Sequence, residues 1–182
     1  MQLARFYASL LFFMSFSLLS LASPVATGLL VRDGSCDCGS DLVNIFTDLK
    51  LKVDADVLLL DGVNTPSHGI DALVAHINAA ADLAAHVDLK VAFIDADLSL
   101  CVQICVEIIL AILAGCLKYS VFILLGLVGK LDLALCALLN ACIKLDASFL
   151  AKIVLNVQLL AAAPALTIYG FVKIIAVLGL HI

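Results

Sequence analysis

The sequence predicts an all-α protein, an apolar bundle of about six helices that either inserts into a membrane or packs on itself. Two observations lead there. Apolar residues recur at three- and four-residue spacing over most of the chain. Hydrophobic residues make up 64% of it, with a mean hydropathy of +1.20, against about 45–50% in average soluble domains.

Residues 1–22 read as a cleavable secretory signal. Arg5 supplies their one charge, an apolar stretch runs from Phe6 to Leu21, and Ser20 and Ala22 offer the small side chains of a cleavage site. The apolar core is shorter than the ~20 residues that a membrane span needs. Residues 23–39 read as a flexible linker, with Gly28, Gly34, Ser35 and Gly39.

Residues 40–97 form an acidic amphipathic helical hairpin. Ser40 suits an N-cap and Asp41 the first turn. Leu42, Ile45, Phe46, Leu49, Val53, Val57 and Leu60 then keep one face apolar, while Asp48, Lys52 and Asp56 fall on the other. Asp61-Gly62 ends this helix, and Asn64, Pro66 and Ser67 mark a loop. A second helix runs from Ile70 to Leu98 along a narrow seam that includes Leu73, Ile77, Ala81, Ala84, Val87, Val91 and Ile94. The short loop makes the first helix its nearest antiparallel partner.

Residues 98–182 are far more apolar. Gln103, Glu107 and Lys118 form a thin polar stripe, with Cys101, Cys105 and Cys116 roughly opposite. Lys130-Leu131-Asp132 and Lys144-Leu145-Asp146 each place a base at one helix end and an acid at the next start, which suits both dipoles. They delimit helices near 132–144 and 147–163, with Pro164 as the break before a last helix from Ala165 to Leu180. Charge divides the same way. Arg32 to Asp97 carries twelve acids and four bases, and Leu98 to Ile182 three acids and five bases. A net acidic chain without basic runs makes a poor nucleic-acid binder.

Beyond the expected signal and linker, the longest window without Asp, Glu, Lys, Arg or His is Ile153 to Val172, twenty residues between Lys152 and Lys173. As one helix it would measure about 30 Å, enough for a hydrocarbon core. Asn156, Gln158 and Pro164 lie inside it. A span from Ile108 to Gly129 would centre Lys118, at about 2.5–3.5 kcal/mol. The pattern stands between a polytopic membrane protein and a packed apolar bundle.

Seven cysteines, Cys36, Cys38, Cys101, Cys105, Cys116, Cys136 and Cys142, offer disulfide partners in an oxidising compartment. Their odd number leaves at least one unpaired within the chain. No Cys-x-x-Cys or paired His/Cys spacing points to metal or redox chemistry. Asp95-Ala-Asp97 after an apolar run has the form of a metal-binding carboxylate pair, but it lies in helical periodicity with no alternating α/β pattern around it. An EF-hand fails at Leu100 and Val106, where Gly and Glu are required. His68, His76, His86 and His181 read as surface side chains, His86 one turn from Asp82. No catalytic, cofactor or metal site is expected, and no N-glycosylation sequon occurs.

The signal peptide, the early Cys36/Cys38 pair, the run Asp-Leu-Val-Asn-Ile-Phe-Thr-Asp-Leu from Asp41 and the apolar helical remainder together resemble small secreted proteins of mushroom-forming fungi. The resemblance lies in layout and implies secretion alone. Hydrophobins differ, with eight cysteines in adjacent pairs. The expectation is a non-enzymatic, membrane-associated helical protein of the secretory pathway. The alternative is a secreted amphiphilic bundle that binds lipid or self-associates at interfaces.

The small residues of the second helix mark its closest approach to a partner. Ala84→Leu is expected to overpack that contact and cost about 1–3 kcal/mol. Asp82→Ala on the outer face should cost under about 0.5 kcal/mol. Thermal melts of both variants test the assignment; equal losses would mean that the buried face is elsewhere.

Overall fold

The computed structural model describes residues 38–87 and 95–180, with side chains from Asp41 onward. The expected signal, most of the linker, His181, and the seam positions Val91 and Ile94 lie outside them, as do Cys36 and the side chain of Cys38. Among the described residues there are eight helices and no strand. They are α1 (Cys38–Leu58), α2 (Ser67–Ala85), α3 (Asp95–Cys116), α4 (Val121–Leu124), α5 (Val128–Leu145), α6 (Ser148–Val154), α7 (Val157–Tyr169) and α8 (Val172–Leu178). The all-α expectation holds.

Helix α2 packs against both α1 and α5, more extensively against α5. The sequence pointed to α1 alone, because proximity along the chain was the only cue. Helices α1 and α3 run parallel, with Leu60 beyond the end of α1 lying against Gly115 near the end of α3. Helices α2 and α5 also run parallel, joined at their starts by Lys130 and Asp71, 2.9 Å apart. Helices α6, α7 and α8 pack across α3 and α5 and complete the ring. The shared core contains Phe46, Leu73, Ile77, Ile108, Leu138 and Phe171. Phe46 of α1 meets Phe149 of α6, their ring centroids 6.3 Å apart.

Ala80, Ala81 and Ala84 are buried and Asp82 is exposed, as the seam required. Asp56 departs from the expected outer face. It is buried, and its carboxylate meets His76 Nδ1 of α2 at 2.6 Å. A buried carboxylate is tolerated when a partner offsets its lost hydration. His76 is therefore an interhelical contact rather than a plain surface side chain. His86 bonds the backbone oxygen of Asp82 at 2.6 Å, not its carboxylate.

The helix boundaries differ from the sequence reading at three places. Helix α2 ends at Ala85, and Leu98 belongs to α3. Asp132 does not open a helix but lies within α5, 3% exposed. Its two oxygens accept the backbone N–H groups of Lys173 and Ile174 at 2.8 and 2.9 Å, so it caps α8 from another helix. The Lys144/Asp146 boundary holds: α5 ends at Leu145, and Asp146 accepts the N–H of Ser148 at 2.7 Å.

The third place is the apolar window. It breaks at Leu155 and Asn156, where α6 and α7 meet at 78°. Asn156 caps α7 by accepting from Gln158 and Leu159 N–H groups. Pro164 lies inside α7, which continues to Tyr169 and ends on Gly170 in the left-handed conformation. The window is thus no straight helix. The Ile108–Gly129 alternative is interrupted too, since α3 stops at Cys116. Among the described residues, α3 alone is long and apolar enough to cross a membrane unbroken, and 56% of its most apolar stretch is buried inside the protein.

Asp132→Ala is expected to release α8 by leaving two N–H groups without their acceptor. A lost cap and a lost buried acceptor each cost about 1–2 kcal/mol. Urea denaturation should register a loss of about 2–4 kcal/mol. A loss below about 0.5 kcal/mol would show that water replaces the carboxylate.

Candidate interfacial surface

The ends of six helices meet at one pole of the bundle. They are the C-terminal ends of α1, α3 and α7 and the N-terminal ends of α2, α5 and α8, with the single turn α4 between α3 and α5. Polar contacts between loops hold this pole together. Asp61 accepts the N–H groups of Val63 and Asn64, both at 2.9 Å, and the Asn64 side-chain amide at 2.6 Å. Tyr119 hydroxyl donates to the same carboxylate at 3.4 Å, tying the α1–α2 loop to the α3–α4 turn. Tyr169 hydroxyl at the end of α7 donates to the backbone carbonyl of Tyr119 at 3.1 Å. Gly62, at φ +81°, lets the first loop lie against Lys118. There a Cβ would meet the Lys118 carbonyl at 3.1 Å.

Beneath these contacts Leu60 wedges between α2 and α3. Added Cβ atoms at Gly69 and Gly115 would come within 2.8 and 2.9 Å of its methyl groups. The loops are therefore seated on the core, with Tyr119, Leu124 and Phe171 also buried, and several of their other apolar side chains face outward. Val63 is 88% exposed, Phe122 85% and Leu58 77%. With Leu59, Ile123, Leu125, Ile168 and Val172, this pole has eight of the fifteen large apolar side chains exposed among the described residues. Scattered apolar residues on a surface need no explanation; a concentration of this kind makes the pole a candidate interaction surface.

Helix α7 continues the apolar surface down one side. Leu159, Ala163 and Leu166 face the core. Val157, Ala161, Pro164 and Ile168 fall in one outward stripe at about 100° per residue, and all four are exposed. Helix α7 has no predominantly polar face. Thr167 returns its hydroxyl to Ala163 oxygen at 3.0 Å.

Charge is distributed unevenly between the poles. The apolar pole has Lys118, Lys130 and Lys173 exposed against Asp61 and Asp71, while Asp132 is buried. At the opposite pole Asp41, Asp82, Asp95, Asp97 and Asp146 face Lys144 and Lys152. Four described lysines are paired with carboxylates: Lys50, Lys52, Lys130 and Lys152. Among the described residues, Lys118, Lys144 and Lys173 have no carboxylate partner.

The chemistry weighed from the sequence is dispersed in the fold. Asp95 and Asp97 occupy the first turn of α3, and Lys152 reaches Asp95 at 2.8 Å. Among the described residues no three His, Cys, Asp or Glu side chains form a metal-binding group. Cys101, Cys105, Cys116, Cys136 and Cys142 are free thiols. Burial pushes Cys101, Cys116 and Cys142 up to about 12 and raises Cys105 well above the usual thiol range. Such thiols stay protonated and unreactive at neutral pH. Cys136 is half-buried. Lys118 does not continue the polar stripe of α3, because it falls beyond the helix end; Gln103 and Glu107 do, bonded at 3.2 Å. The apolar pole itself was not anticipated. Phe122 and Val63 lie in turns, outside the periodicity that identifies helix faces.

Comparison with known proteins finds no matching family, no matching characterised chain and no matching solved structure. The surface stands on its own geometry.

Two outcomes test this description. The N–H groups of Asn64 and Val63 hold the Asp61 carboxyl below its ordinary value of 3.8. Their bonds, fully formed above the unfolded carboxyl range, are lost as pH falls through that lowered value. Amide exchange at Val63 and Asn64 should accordingly remain protected until the pH drops below the usual carboxylate range, and Asp61→Ala should remove the protection at every pH. For the thiols, maleimide labelling mapped by peptide mass should modify Cys136 in the folded protein and Cys101, Cys105, Cys116 and Cys142 only on unfolding. Rapid native labelling of Cys105 would contradict its burial on the inner face of α3.

Proposed function

We propose that this chain is a non-enzymatic helical bundle of the secretory pathway that associates with lipid surfaces through its apolar pole. The observation that carries the reading is the exposure of Val63, Phe122 and Leu58 at the end of an otherwise self-contained core. Fully burying one such side chain is worth about 1.5–3 kcal/mol. Phe122, Ile123 and Leu125 occupy a single turn and the residue after it, short enough to enter the headgroup region without burying a long stretch of backbone. The broken window at Asn156 and the core-facing surface of α3 favour attachment over a bilayer crossing. Irregular backbone is costly at membrane depth.

The outward stripe of α7 favours a second reading, a secreted amphiphilic bundle that self-associates at interfaces. Both readings share a folded, lipid-seeking protein and differ in what covers the stripe. Gel filtration without detergent separates them, since self-association raises the apparent mass with concentration.

Flotation with phospholipid vesicles tests the main reading. The mature chain should rise with the vesicles and be released by alkaline carbonate. Val63→Asp and Phe122→Asp should each weaken vesicle binding at least about ten-fold, while changing folding stability by no more than about 0.5 kcal/mol. Resistance to carbonate extraction would instead indicate an integral protein, and no flotation would remove lipid association.

A further inference from the structure

We infer that the apolar pole selects anionic lipid, so that the bundle stands on a membrane surface with its acidic pole pointing away. This deepens the proposed function and rests on it. The apolar side chains alone discriminate poorly between lipid headgroups, because they respond to hydrocarbon. The arrangement of charge supplies the distinction. Two of the three described lysines that have no carboxylate partner, Lys118 and Lys173, are exposed at this pole.

Lys118 immediately precedes Tyr119 and the α4 turn that presents Phe122. Lys173 follows exposed Val172 at the start of α8. Its backbone is fixed by the bond from its own N–H to Asp132. Of the acids nearby, Asp71 is matched by Lys130, and Asp132 is buried with both oxygens engaged by N–H groups. Asp61 is exposed without a cationic partner and keeps its charge, so the exposed charge of this pole is three lysines against the two carboxylates of Asp61 and Asp71. Lysines beside an inserted apolar turn reach the phosphate level while their stems remain among the acyl chains. The third lysine without a carboxylate partner, Lys144, is near the opposite end of α5, roughly 20 Å along the helix from Lys130. There Asp82 lines the same cleft and Asp146 follows two residues on, acids that an anionic surface repels. Attraction at one pole and repulsion at the other set a single orientation.

The test uses the full mature chain with phosphatidylcholine vesicles, with and without about a third phosphatidylserine. Binding should be tighter with phosphatidylserine, and the difference should vanish at about 1 M salt. Lys118→Gln and Lys173→Gln should each lower affinity for the anionic vesicles about five-fold, leaving weak binding to phosphatidylcholine unchanged. Lys144→Gln should have no effect. Equal binding to both vesicle types, or an equal loss with Lys144→Gln, overturns the lipid selectivity while lipid association stands. Absence of binding to either vesicle removes both.

Discussion

A chain that is 64% hydrophobic has more apolar side chains than a bundle of its size can enclose, and that surplus shapes the rest of the molecule. Four principal helices fill a core with Leu, Ile, Phe and buried Cys, and the small residues of α2 let the backbones approach. Among the described residues, most of the large apolar side chains left exposed lie at one pole and along α7, while Leu83 and Leu100 are exposed toward the acidic end. A soluble bundle ordinarily spreads a few exposed Leu and Val residues among charges. Here, among the described residues, one pole is mainly apolar and the opposite pole mainly acidic.

Several polar side chains among the described residues hold backbone at loops and helix starts. Asp61, Asp132, Asp146 and Asn156 each accept N–H groups at a loop or helix start. Asp56 joins α1 to α2 through His76. At helix starts the side-chain oxygens take up N–H groups that have no intrahelical acceptor. Among the described residues no buried side-chain nitrogen or oxygen lacks a partner, so no polar side chain there carries the cost of an unmade hydrogen bond.

Much of this architecture was legible in the sequence. The spacing of Leu42, Phe46, Leu49 and Val53, and of Ile70, Leu73, Ile77 and Ala84, located two buried faces. Lys144-Leu145-Asp146 located a boundary. What stayed hidden depended on distant contacts. Lys130-Leu131-Asp132 has the same local form as Lys144-Leu145-Asp146, yet Asp132 serves a helix that begins forty residues later. Asn156 reads as a polar residue in an apolar window until its side chain is seen capping α7. The candidate surface was hidden for a related reason. Whether an apolar residue in a turn faces inward, like Leu60, or outward, like Val63, is decided by neighbours such as Gly69 and Gly115, not by period.

The pairing of α2 with α5 also sets the order in which the chain finds its partners during synthesis. Helix α2 is complete at Ala85, but its larger partner ends at Leu145, roughly sixty residues later. At about 5–20 residues per second, a nascent chain would leave that seam half-covered for on the order of three to twelve seconds. The Ala-rich stretch of the seam softens this interval, since small side chains expose less hydrocarbon to a chaperone or a neighbouring chain than leucines would. The close packing that sets the final geometry thus also lowers the stickiness of the unfinished chain.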